Sequence, residues 1–145
     1  MTDPVPGQEL PPWRLDAVDP AAMKTMAALL RDPNPIHYDV AAVRAAGLGD
    51  RVVNQGPSNL GYIVNMLLAW TGDPASVLQV SARFLGNVVA GDAVTAGGVV
   101  RELIADDAGT VTRCEVWLDR DDGTRLVAGT ARVRAPRSAG DRDNR

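Results

Sequence analysis

The segment Arg31-Asp32-Pro33-Asn34-Pro35-Ile36-His37-Tyr38-Asp39 sets the only histidine of this 145-residue chain five positions after a carboxylate, with two prolines between them. Pro33 and Pro35 remove backbone donors and bias Asp32 and Asn34 towards extended conformations, so the segment is expected to be a stiff turn. Such a turn can bring Asp32, Asn34 and His37 to one spot. Imidazole titrates near neutrality and a carboxylate can orient it, so the three together are suited to holding a water molecule for acid/base chemistry. A plain alternative fits the same residues: Asp-Pro-Asn-Pro is also a good turn after a helix, with a His-Tyr pair on the surface.

The elements that must hold this turn are readable around it. Asp19 followed by Pro20 is a helix cap with proline in the first helical position, and Met23, Met26, Ala27 and Leu30 recur at helical spacing, which predicts a helix from Pro20 to about Arg31. The two methionines read as core filler. Asp39 can cap a short helix, Val40 to Ala46, stopped by Gly47 and Gly49. Pro57 at the start and Gly72 past the end bracket a helix of about four turns that is apolar nearly all round and therefore expected to be buried. Gly61 inside it suggests close packing against a sheet or a passing acyl chain, the packing glycine being the simpler reading. Beyond Gly72-Asp73-Pro74 the pattern changes to β-branched runs at Ser76 to Leu85, Ala93 to Ala105, Val111 to Asp119 and Arg125 to Arg134. Asp106-Asp107-Ala108-Gly109 and Asp121-Asp122-Gly123 are hairpin signals between them. Four consecutive strands behind one buried helix predict an α+β domain with an antiparallel sheet wrapped around that helix.

Residues 1–15 read as an arm with an edge strand around Trp13 to Leu15, 16–135 as a single domain, and 136–145 as a disordered polar tail. The formal net charge is -3, with no basic stripe, which argues against a nucleic-acid partner. Cys114 is the sole cysteine, so no internal disulfide can form, and one Cys with one His leaves no nitrogen/sulfur cluster for zinc. An oxygen-only site for magnesium or calcium stays open, although no loop shows the ligand spacing of an EF-hand, and no cofactor is expected. Met1 to Pro12 lacks the apolar core of a secretion signal, and the long helix is too short to span a bilayer, so a soluble, cytoplasmic protein is expected.

Asp32-x-Asn34-Pro35-hydrophobic-His37, an Ala-rich segment ending in Gly47-Leu48, and Gly56 opening an apolar helix together resemble the MaoC-like dehydratases, the R-specific enoyl-CoA hydratase group of the hot-dog fold. The resemblance covers roughly residues 20 to 135, and its specific part is Asp32 to His37 with Gly56 at the matching spacing. It implies reversible addition of water to a trans-2-enoyl thioester, with an acyl-CoA thioester as substrate and no metal. By resemblance His37 and Asp32 hold the water, His37 as the base and Asp32 orienting it and shuttling the proton, while Asn34 locks the loop or touches the water. Gly56 offers a backbone N–H at the positive end of a helix dipole, close enough for a thioester carbonyl. The chain departs from the family pattern at Asn54-Gln55, where a small residue and a His are usual, at Pro57, and at Arg31. Gln55 can still donate a hydrogen bond to a carbonyl. These departures resemble subunits of heteromeric hydratases acting on bulky, steroid-type acyl chains. Hot-dog chains also expose a sheet edge, so a homodimer or a heteromer with another hot-dog subunit is expected. A partner subunit lending only part of the site, and a hot-dog acyl-CoA thioesterase, are the alternatives.

Overall fold

Among the described residues, three α-helices and five strands follow from local signals that the chain places at their ends. In this computed structural model, which describes residues 3–134, Asp19 Oδ1 accepts from Ala21 N at 2.8 Å and Pro20 opens α1, Pro20–Leu30. The helix closes at Arg31, which adopts φ +50°, a left-handed conformation that costs a non-glycine residue about 1 kcal/mol. That reversal lets Asp32 N donate back to Ala27 O at 2.9 Å, and the chain leaves α1 with Asp32 as its next residue. Pro35–His37 forms a single 3-10 turn, and Asp39 Oδ1 then caps α2, Val40–Ala45, through Ala41 N.

The long helix α3 is Gly56–Thr71, and Gly72 at φ +69° ends it by donating to Leu68 O at 2.8 Å. The strands are β1, Trp13–Leu15, β2, Val77–Phe84, β3, Val94–Asp106, β4, Gly109–Arg120, and β5, Arg125–Arg134. They pair in the order β1-β3-β4-β5-β2, antiparallel throughout. β4 begins two residues earlier than the β-branched run suggests, because Gly109 and Thr110 pair with Asp106 and Ala105 across a tight hairpin.

One face of the sheet carries Val94, Ala96 and Val100 of β3, Cys114, Val116 and Leu118 of β4, and Val127, Ala131 and Val133 of β5, all buried against Ile63, Met66 and Leu67 of α3. A Cβ at Gly98 would come within 3.3 Å of Met66 Cε and 2.9 Å of Leu10 Cδ1, so the absence of a side chain there lets helix and sheet approach. This is the hot-dog arrangement, a sheet wrapped around a central helix.

Two expectations need correction. α3 is apolar nearly all round but buries only the face of Asn59, Ile63, Met66, Leu67 and Thr71, while Leu60, Val64 and Leu68 are half-buried. A two-layer fold covers one side of its helix with the sheet, and the other side depends on what else packs there. Gly61 is not a packing glycine: a Cβ built there meets nothing within 4 Å. The polar tail expected at 136–145 lies outside the described residues. Among the described residues no helix is long and apolar enough to cross a membrane.

Candidate active site

Asp32 and Asn34 of the proline-rich turn each hold the peptide two residues on. Asp32 Oδ1 accepts from Asn34 N at 3.0 Å, and Asn34 Oδ1 accepts from Ile36 N at 3.3 Å. Tyr38 donates its hydroxyl to Pro33 O at 3.1 Å, which clamps the outside of the bend. His37 therefore projects inward and is only 7% exposed.

The histidine ring is fixed at both nitrogens. Nδ1 lies 2.6 Å from Val53 O, and a carbonyl can only accept, so Nδ1 carries a proton and in the neutral ring it is Nε2 that presents a lone pair. Nε2 in turn lies 3.1 Å from Asp32 Oδ2. A lone pair and a carboxylate at that distance repel unless a hydrogen lies between them or a water beside them donates to both. Asp32 remains about a third exposed, which leaves its carboxylate accessible from solvent.

The segment before α3 meets the turn edge to edge. Val53 N donates to Ile36 O at 2.9 Å, Asn54 N donates to Val88 O at 2.8 Å, and Val53 bridges Val89. This places the amino end of α3 beside the imidazole. Asn34, His37, Asn54, Gly56, Asn59 and Phe84 lie around a cavity of about 260 Å³. Among the described residues the Gly56 N–H has no acceptor, and it stands in the first turn of α3, where the helix dipole is positive. A Cβ at Gly56 would sit 3.3 Å from Phe84 Cζ, so the missing side chain keeps the space between N–H and ring open.

Of the residues singled out from sequence, the structure brings Asp32, Asn34, His37 and Gly56 together around or beside one cavity. Gln55 it does not. The Gln55 carboxamide is 1% exposed and turned towards α1, where Nε2 donates to Met23 O at 2.8 Å, while Oε1 has no partner among the described residues. Its donor is thus used to tie α3 to α1 and is unavailable to a carbonyl in the cavity.

Sequence reasoning missed three participants. Val53 acts through its carbonyl, for which no side-chain signal exists. Phe84 arrives from β2, and nothing in its local pattern distinguishes it from a core aromatic, although it is half-exposed. Asn54, noted only as a departure from a pattern, donates through Nδ2 to Asn59 Oδ1 at 2.8 Å and to the Tyr62 hydroxyl at 3.1 Å. Tyr62 stacks on Trp13 with ring centroids 5.5 Å apart, and burial raises its hydroxyl above the usual phenol value against the opposing pull of the Asn54 hydrogen bond.

An antiparallel five-stranded sheet on one long helix, with a His-Asp pair facing that helix's amino end, defines a hot-dog domain with a candidate acid/base site. The MaoC like domain family matches residues 3–116, most of the chain, and the protein belongs to that family. No curated protein matches it in sequence. Its fold is shared with the (R)-hydratase from A. caviae involved in PHA biosynthesis, at 24% identity and a TM-score of 0.81 over 94% of this chain and 100% of that one. The unliganded R-hydratase PhaJ1 from Pseudomonas aeruginosa is similar at 21% identity, with a TM-score of 0.78 over 92% of this chain and 83% of that one. A chain of the ChsH1-ChsH2 complex from Mycobacterium tuberculosis matches at 24% identity, with a TM-score of 0.77 over 94% of this chain and 100% of that one.

Proposed function

We propose that the protein is an (R)-specific enoyl-CoA hydratase, adding water reversibly across the double bond of a trans-2-enoyl thioester to give the 3-hydroxyacyl thioester. The observation that carries this reading is the ring of His37, held by Val53 O so that Nε2 faces Asp32 Oδ2 beside the cavity that Gly56 borders. A water beside the pair, hydrogen-bonded to both groups, loses a proton to Nε2 as its oxygen bonds to C3. The π electrons of the C2–C3 bond move towards the thioester carbonyl, and the Gly56 N–H with the helix dipole stabilises the oxygen that becomes negative. C2 then takes that proton from the His37–Asp32 pair, which returns the pair to its starting charge. Asn34 keeps Asp32 and the turn in register. Membership of the MaoC-like family and the shared fold with (R)-hydratases support this assignment.

The test is the loss of enoyl absorbance with trans-2-enoyl-CoAs of different chain length, using wild type and Asp32→Asn. The variant should lose at least about a hundredfold in rate, the lower end for acid/base groups. Near-full activity in the variant would refute the assignment. Release of free thiol, which hydration does not produce, would identify a thioesterase.

A second observation bears on assembly. The half-buried Leu60, Val64 and Leu68 of α3 lie on the helix that packs against the edge strand β2, which itself exposes Leu78 and Phe84, with Leu85 just beyond. An apolar face next to an open sheet edge favours association with a second hot-dog subunit, identical or different. A single species at the monomer mass in analytical ultracentrifugation, together with full turnover, would exclude that arrangement.

A further inference from the structure

Asn59 stands where α3 calls for hydrocarbon. The helix buries Asn59 in one stripe with Ile63, Met66 and Leu67, and Asn59, one turn in from the amino end, is 3% exposed. A buried carboxamide is costly unless both of its ends find partners. One end does: Asn59 Oδ1 accepts from Asn54 Nδ2 at 2.8 Å. Asn59 Nδ2 has no acceptor among the described residues, and it is not sealed from the surface as Gln55 Oε1 and Ser58 Oγ are. It therefore opens on the cavity at His37, which Asn59 lines together with Gly56.

Two features aim that donor. A helical side chain leans towards the amino end of its helix and covers the turn before its own Cα. The Asn59 carboxamide is thus carried back towards Gly56, three positions earlier on the same face. Asn54 then decides which end of that carboxamide faces the cavity. Asn54 is 6% exposed, its backbone N–H donates to Val88 O at 2.8 Å, and its Nδ2 reaches the Tyr62 hydroxyl at 3.1 Å as well as Asn59 Oδ1. With its oxygen taken, Asn59 offers the cavity its N–H groups. A tether between Asn54 and α3 needs Oδ1 alone and leaves Nδ2 without a use.

We propose that Asn59 is a second catalytic donor to the thioester oxygen, beside the Gly56 N–H, and that Asn54 is the positioning residue that holds it in that orientation. The inference rests on the hydratase reading given above. As water adds at C3 and charge moves onto the thioester oxygen, that oxygen accepts from both Gly56 N and Asn59 Nδ2. Donors fixed in place before the reaction need no rearrangement as the charge grows, which is why each contributes more there than in water.

Butyryl-CoA, which has no double bond to hydrate, tests this when it carries 13C at the thioester carbonyl and is read by isotope-edited infrared spectroscopy. Wild type should lower the carbonyl stretching frequency of the bound ligand below that of the free ligand in water. Asn59→Leu, and Asn59→Ala, which cannot overfill the cavity, should each return it part of the way. Asn54→Ala should return it by less, with Asn59 intact but free to turn. Asp32→Asn removes no donor to the carbonyl and should leave the frequency at the wild-type value. The frequency comes from bound ligand, so loss of folded protein does not move it. With enoyl-CoA, both Asn59 variants should fall about a hundredfold in kcat with KM little changed, as for loss of one oxyanion donor. A fall in kcat with an unmoved frequency would overturn the inference, since Asn59 would then act on the water or on the fold. A wild-type frequency no lower than in water, no binding of butyryl-CoA to wild type, or an equal return in Asp32→Asn would overturn it as well. If wild type hydrates no enoyl-CoA while the lowered frequency still depends on Asn59, the hydration reading fails and the thioester-oxygen site stands.

Discussion

Replacing His37 by asparagine should separate what its two nitrogens do. Asparagine places Nδ2 near the position of the histidine Nδ1, so the bond to Val53 O, 2.6 Å long in the wild type, can be remade, but nothing replaces Nε2 opposite Asp32 Oδ2. His37→Ala loses both. If Nε2 is the base, either variant should fall at least about a hundredfold in turnover, equivalent to about 2.7 kcal/mol of barrier. Stability should divide them. The Val53 carbonyl belongs to a residue 4% exposed, and leaving a buried acceptor without a donor costs roughly 1–3 kcal/mol. His37→Ala should therefore be less stable than His37→Asn by at least about 1 kcal/mol. Enoyl-CoA absorbance decay gives the rates and urea unfolding gives the stabilities. A His37→Asn variant with near wild-type turnover would refute the base assignment. Equal stability of the two variants would refute the claim that Val53 O anchors the ring.

Gly129→Ala places a methyl 2.1 Å from Ser81 O and 2.8 Å from Ala82 Cα, backbone atoms of the neighbouring strand that cannot yield without parting β2 from β5. It should cost at least about 2 kcal/mol, a fall in Tm on the order of 6 °C by calorimetry. Burial pushes the Cys114 thiol up to about 11, above its value of about 8.5 in an unfolded chain. The stability linked to the neutral thiol is thus whole below about 8.5 and lost as pH rises through about 11, and at pH 8 Ellman's reagent should label Cys114 only when the protein unfolds. Arg134 holds the Asp106 carboxylate at about 2, so their ion pair persists above the ordinary value of about 3.9 and disappears as pH falls through about 2. Carboxyl NMR should show that midpoint, and Arg134→Gln should return it towards about 4.

Much of the candidate site is legible locally because its framework is local. Asp32 to Asn34 and Asn34 to Ile36 are contacts between residues two apart, and prolines at 33 and 35 leave the backbone little alternative. The caps at Asp19 and Asp39, the glycine at 72, and the hairpin residues at 106–109 and 121–123 likewise mark their elements by short-range chemistry. The carbonyl that selects the His37 tautomer is 16 residues away, and the Met23 carbonyl that takes Gln55 out of the cavity is 32 residues away.

The amino-acid sequence by itself determined the bend, the helix ends and the sheet-forming runs, since these depend on φ restrictions, caps and side-chain periodicity within a few residues. Tertiary structure alone decided which way Gln55 turned, which side of α3 stayed uncovered, and that the Asn54 carboxamide meets both Asn59 and the Tyr62 hydroxyl. Those outcomes depend on how α1, α3 and the sheet pack, and a carboxamide has the same local preferences whichever neighbour is brought to it.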